Sequence, residues 1–272
     1  MTTRTKDTEN FPVGSWLVAA PLRPVVHAFY RFARLADDIA DDPHLAADEK
    51  VRRLDAMDAE LQAGAGDGPA AVIAALLAER GVPVVHCRDL LVAFKRDAHT
   101  PRTRDWADLM EYCRYSASPV GRFLLDLHGE SHDIWPANDA LCNALQVLNH
   151  LQDCRDDYLA LDRVYLPEDA FAAAGAAIAD LAGARSGPAL RRVLDITIDH
   201  TRPLVQAARA LPGGIKSGGL RRETAVIVAI AERLLELLAR RDPLAERVEL
   251  NKAGLALATL TGLGRTLFRG GL

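Results

Sequence analysis

Apolar residues recur at three- and four-residue intervals along most of the chain, and no stretch alternates with period two. From Pro24 to Asp41, Val25, Phe29, Phe32, Ala33, Ala36 and Ile39 keep helical spacing. Pro24 suits a first helical turn and Pro43 closes the segment. Asp48 to Leu61 sets Val51, Leu54, Met57 and Leu61 on one side. Further helices are predicted over 70–80 and 84–97, and a long one from an Asp105 N-cap to His128, ending at Gly129. Within it, Ser116-Ala117-Ser118-Pro119-Val120-Gly121 either bends the helix and opens space toward a cavity or starts a new helix at Pro119. Helices over Asn138 to about Leu161, 168–182, 187–209, 220–240 and 243–268 complete the pattern. Arg163 to Pro167 is a short extended link, and loops rich in glycine fall at 64–69 and 212–219. The reading is all-α, one domain over 1–272 with residues 1–9 a flexible lead-in.

Composition agrees: alanine, leucine, arginine and the acids dominate, and aromatic residues are only 6%. A net charge of −4 gives no reason to expect a nucleic-acid partner. Cys87, Cys113, Cys142 and Cys154 are scattered and form no C-x-x-C pair, which fits reduced thiols rather than a disulfide framework or a zinc site. Residues 1–10 lack the apolar run of a secretory leader, and no segment reaches about 18 uninterrupted apolar residues. A cytoplasmic protein is expected, peripheral contact with the inner membrane remaining open, with no obligate protein partner evident.

Against this background two acidic clusters stand out. In Asp37-Asp38-Ile39-Ala40-Asp41-Asp42, helical spacing puts Asp37 and Asp41 one turn apart, with Arg34 one turn before Asp37 and Asp38. Carboxylates so close repel one another unless a cation lies between them. In the second, Asn149, Asp153 and Asp157 are spaced i, i+4, i+8 and share a face with Gln146, while Leu145, Leu148, Leu151 and Tyr158 are expected on the opposite side. Either cluster alone also fits a solvated helix face. Together they are oxygen-only donor sets on helices, which suits Mg²⁺ sharing its shell with phosphate. Arg34 and other basic side chains can neutralise a diphosphate between them. With apolar residues lining the remaining space, a prenyl diphosphate is the ligand this pattern accommodates.

These residues resemble the squalene/phytoene synthase family. Its first aspartate-rich motif matches Asp37-Asp38-Ile39-Ala40-Asp41 with Arg34 before it, and its second matches Asn149-x-x-x-Asp153-x-x-x-Asp157 followed by Arg163-Val164-Tyr165. Its tyrosine-bearing bent helix matches Tyr112 to Gly121. Three details resemble the branch that makes hydroxysqualene in bacterial hopanoid biosynthesis: Glu9-Asn10-Phe11-Pro12-Val13, Ser116 to Gly121, and Asn149-His150-Leu151-Gln152-Asp153. Gln152 departs from the more usual arginine before the middle aspartate, which removes a positive charge near the diphosphate.

The resemblance implies a class I isoprenoid synthase helical bundle with a central apolar cavity. It implies Mg²⁺ held by Asp37, Asp41, Asn149, Asp153 and Asp157, with Asp38 an additional ligand. Arg34, Gln146 and Arg163 are placed on the diphosphate or its metal shell. Tyr30, Tyr112, Ser116 and Tyr165 are candidates for positioning water or shielding a cation, and Asn10 and Phe11 for a flap. The implied reaction turns presqualene diphosphate and water into hydroxysqualene by ionisation, rearrangement and water capture. The alternatives are head-to-head condensation of two prenyl diphosphates, as in presqualene diphosphate or phytoene synthases, and a non-catalytic helical scaffold.

Overall fold

A computed structural model describes residues 19–268. Twelve helices and three short 3₁₀ segments occur among the described residues, with no strand beyond one isolated bridge between Arg102 and Val164. The helix α1 (Arg23–Asp41) has proline in its first turn and buries Val25, Phe29, Phe32, Ala36 and Ala40. It packs with α2 (Ala47–Ala63), α3 (Pro69–Arg80) and α4 (Val85–His99). The core between them includes Leu54, Ile73, Leu77 and Leu91, and Phe29 stacks on Phe123 with ring centroids 4.0 Å apart.

Asp105 caps α5 (Trp106–Ser116) as predicted, its Oδ1 accepting from the Asp108 amide at 2.8 Å. The predicted long helix breaks at Ala117 (φ −123°, ψ −50°), and α6 (Ser118–Leu127) starts anew with Pro119 in its first turn. The second of the two sequence readings therefore holds, and the break still faces a cavity. A 27-residue helix, α7 (Trp135–Leu161), starts three residues earlier than the Asn138 boundary read from sequence. It packs against α6, α9 (Pro188–Ala208) and α11 (Gly218–Leu238) over a second core containing Leu148, Leu151, Leu190, Val193 and Leu194. The link after α7 is extended as expected, with Val164 N–H donating to Pro101 O at 2.8 Å and Glu168 N–H to Thr103 O at 2.9 Å.

Two predicted helices are too long. The one over 168–182 stops as α8 (Glu168–Ala174), because Gly175 turns left-handed at φ 66°; a 3₁₀ turn, Ile178–Ala182, follows. The one over 243–268 becomes α12 (Lys252–Phe268), packed on α11. Before it, Asp242 accepts from the Ser186 and Leu244 amides at 2.8 and 3.1 Å, tying the 239–251 segment down as turns. The short α10 (Leu211–Gly214) leads into α11.

Candidate active site

Between the two cores lies a cavity of about 410 Å³. On α1, Val26, Phe29, Tyr30, Ala33, Arg34 and Asp37 face it, three and four residues apart as one helix face requires. On α7 the facing stripe includes Leu141, Leu145, Gln146, Asn149, Gln152 and Asp153. Leu145 thus lies on the same face as Asn149, not opposite it as read from sequence. An apolar side chain lining a cavity has the same pattern as one in a core, so sequence alone could not separate them. Phe94, Ser116, Ala117, Val120, Leu211, Leu220 and Ile227 supply further walls.

The walls are largely apolar. Arg34 and Asp37 from α1 and Gln146, Asn149, Gln152 and Asp153 from α7 line the cavity, with Asn138, Glu223, Thr224 and Arg247 as further polar residues. Arg34 bridges two carboxylates, Nη1 to Asp37 Oδ2 at 3.2 Å and Nη2 to Asp38 Oδ1 at 3.1 Å. It therefore offsets the repulsion built into the motif. Gln152 Nε2 donates to Val248 O at 2.5 Å, joining α7 to the segment before α12.

The rest of the motif residues lie elsewhere. Asp38 is half-exposed and Asp41 does not line the cavity. Instead Asp41 Oδ1 accepts from Nη1 of the buried Arg163 at 2.5 Å, and Arg163 Nη2 donates to Ala40 O at 2.8 Å. Lys50 Nζ donates to the same Ala40 carbonyl at 2.8 Å. Asp157, also off the cavity lining, lies 3.9 Å from His150 Nδ1 through its Oδ2. Asp37 thus lines the cavity, while Asp41, one turn on, is held by Arg163. Among the described residues no three His, Cys, Asp or Glu side chains converge as a metal-binding group.

One residue that sequence reasoning missed sits at the centre of the polar contacts. Asp97 is buried on α4, with Oδ2 accepting from Tyr112 Oη at 2.8 Å and Oδ1 from Tyr165 Oη at 3.1 Å. Burial pushes its carboxyl up to about 6, against the pull of Arg163 and the two hydroxyls. Burial likewise pushes both tyrosine hydroxyls well above their ordinary value, with the Asp97 charge adding to it. Tyr112 and Tyr165 are not among the residues lining the cavity, their hydroxyls donating to Asp97 instead, whereas Tyr30 and Ser116 do line it. The Tyr165 ring stacks on His150 at 3.8 Å between centroids, and Tyr112 lies 5.2 Å from Tyr165. The only signal for Asp97 was its place on the buried stripe of Leu90 and Ala93, where an acid is out of character.

The oxygen donors that α1 and α7 turn to the cavity are carboxylates, carboxamides and the Tyr30 hydroxyl. Burial raises all four cysteine thiols, to about 12 for Cys142 and Cys154 and further for Cys87 and Cys113, so none offers a thiolate. Such a set fits a hard divalent cation that keeps several waters and shares its shell with phosphate, which needs only one or two protein carboxylates. The predicted Asn10 and Phe11 lie outside the described residues.

The family model for squalene/phytoene synthase matches residues 4–253. A hydroxysqualene synthase of Rhodopseudomonas palustris is 46% identical over 267 residues, 98% of this chain and 91% of that protein. One of Zymomonas mobilis is 44% identical over 261 residues, 94% and 88% respectively. Among solved structures, a squalene synthase from Alicyclobacillus acidocaldarius matches with TM-score 0.77 at 32% identity, covering 87% of this chain and 90% of that one. A dehydrosqualene synthase bound to a ligand matches with TM-score 0.83 at 20% identity, covering 97% and 93%, a likeness of fold.

Proposed function

Because the chain belongs to the squalene/phytoene synthase family, we propose that it converts presqualene diphosphate and water to hydroxysqualene and diphosphate, a step of squalene and hopanoid biosynthesis. The observation that carries this reading is an apolar cavity lined by acidic and amide residues from two helices, in a chain similar to hydroxysqualene synthases over almost its whole length.

In this reading the diphosphate lies at the polar end, against Arg34 and Gln146, and the hydrocarbon body lies along the apolar walls. Mg²⁺ would be held by Asp37, Asn149 and Asp153 at the cavity, with Asp41, Asp157 and Asp38 reached from its edge; when bound, it neutralises the departing diphosphate. Arg34 adds a fixed cation at the same oxygens. The carbon–oxygen bond breaks with both electrons leaving on the diphosphate. Phe29, Phe94, Leu141 and Leu145 keep bulk water from the resulting cyclopropylcarbinyl cation while it rearranges. A water lone pair then forms the new carbon–oxygen bond, and the proton that the water gives up goes to the departed diphosphate. Tyr30 and Ser116, among the cavity hydroxyls, are suited to holding that water.

Incubation with presqualene diphosphate or with farnesyl diphosphate, and mass spectrometry of the products, tests the proposal. Hydroxysqualene from the first substrate supports it. A head-to-head condensation product from the second, with no alcohol from the first, overturns it in favour of a condensing enzyme.

We further propose a cytoplasmic enzyme that releases its apolar product at the inner membrane through α12. No helix among the described residues is long and apolar enough to cross a membrane. On α12, however, Leu255, Leu257 and Leu260 are exposed. The sequence from Leu250 to Leu272 holds Lys252, Arg265 and Arg269 and no carboxylate, although the chain as a whole is acidic. Leu257 and Leu260, three residues apart, share one face of α12, and with Lys252 at its start they suit an anionic lipid surface. Co-sedimentation with anionic but not zwitterionic vesicles, lost in Leu257→Glu and Leu260→Glu, is the expected result; equal recovery in the supernatant with both vesicle types overturns it.

A further inference from the structure

Five elements meet around one buried carboxylate that none of the family motifs contains. Asp97 comes from α4, Tyr112 from α5, His150 from α7, Arg163 and Tyr165 from the link after α7, and Asp41 from α1. The two tyrosine hydroxyls donate to different oxygens of Asp97, so the carboxylate fixes both rings at once. The Tyr165 ring in turn lies flat on His150, whose Nε2 is 3.2 Å from Gln146 Nε2 and whose Nδ1 faces Asp157. Two residues before Tyr165, the guanidinium of Arg163 holds Asp41 and the Ala40 carbonyl.

A buried carboxylate with a single structural task would need only hydrogen-bond donors to satisfy it, and a neutral amide would cost less to bury. Here the charge has a further use. The Arg163 guanidinium is a permanent buried cation, bonded to Asp41 and the Ala40 carbonyl, and Asp97 lies one hydrogen bond beyond Tyr165, two residues along the same link. If Asp41 turns toward a cation at the α1–α7 site, Arg163 loses its directly bonded carboxylate, and Asp97 remains to balance it.

We propose that Asp97 is a positioning residue of the active site. Through Tyr165 it sets the link bearing Arg163, and its charge lets Asp41 exchange Arg163 for a divalent cation. Asp97 itself touches neither substrate nor cation. The proposal deepens the reading above, resting on its placement of the cation and diphosphate but not on which prenyl product is made.

The test is calorimetric titration of Mg²⁺ into the protein with inorganic diphosphate present, alongside thermal melting and steady-state kinetics. Asp97→Asn retains shape and one acceptor but loses the charge. It is expected to melt no lower than wild type at neutral pH, yet to need at least tenfold more Mg²⁺ for half-saturation in both calorimetry and turnover. Tyr165→Phe is expected to shift the Mg²⁺ requirement in the same direction, and the double variant to add little to Asp97→Asn. A wild-type Mg²⁺ midpoint in Asp97→Asn, or effects of the two substitutions that multiply independently, overturns the proposal. Should Asp97→Asn fail to fold, Tyr165→Phe and Tyr112→Phe decide, because both leave the carboxylate in place; wild-type midpoints in both overturn it. Wild-type protein that binds Mg²⁺ and diphosphate but makes no hydroxysqualene would refute the product assignment and leave this test intact.

Discussion

Asp97 and the motif aspartates do opposite kinds of work, and their environments make the difference measurable. The folded carboxyl of Asp97 titrates near 6, above its ordinary value of 3.8. A carboxyl raised on folding binds its proton more tightly in the folded state, so its contribution to stability is greatest below about pH 4. That contribution is lost as pH rises through 6, on the order of 3 kcal/mol in all. Asp97→Asn has no such loss, so its urea midpoint should gain on wild type between pH 4.5 and 7; parallel curves would show that Asp97 titrates normally. Asp37→Asn and Asp153→Asn are expected to lower turnover by about 10²–10³-fold, the usual scale for losing one electrostatic stabiliser of a transition state, with little change in melting. The motif aspartates were legible because their spacing is repeated on two helices. Asp97 was not, because one acid on an apolar stripe carries no pattern, and its partners Tyr112 and Tyr165 come from distant parts of the chain.

At the level of elements, apolar periodicity located nearly every helix, since each of them buries a stripe against a neighbour. It failed at ends decided by local backbone chemistry. The break after Ala174 depends on a left-handed Gly175, and the 239–251 turns depend on Asp242 accepting backbone amides from Ser186 and Leu244. A methyl group at Gly175 would meet nothing within 4 Å. Gly175→Ala therefore pays only for its positive φ, about 1 kcal/mol by chemical denaturation. Gly121 contrasts with it: a methyl there collides with Asn138 Oδ1 and Cys142 Sγ across the α6–α7 contact. Gly121→Ala should cost about 1–3 kcal/mol and also raise KM for the prenyl substrate, because α6 and α7 both line the cavity. Unchanged stability and KM would show that the two helices can separate freely.

Across the whole molecule, two cores leave one apolar space between them, and that space was the least legible feature. Leu145 shows why: residues that pack against a ligand and residues that pack against protein are chosen by the same hydrophobic effect. What sequence did supply was the polar lining, Arg34 and Asp37 from α1 and Asn149 and Asp153 from α7. The division between an apolar body and an ionising end predicts that the cation is quenched only after it has rearranged, by water. The most direct measurement is turnover of presqualene diphosphate with Mg²⁺ in ¹⁸O-labelled water, followed by mass spectrometry. Hydroxysqualene carrying one ¹⁸O is the predicted product; unlabelled alcohol, or no alcohol at all, would contradict the account.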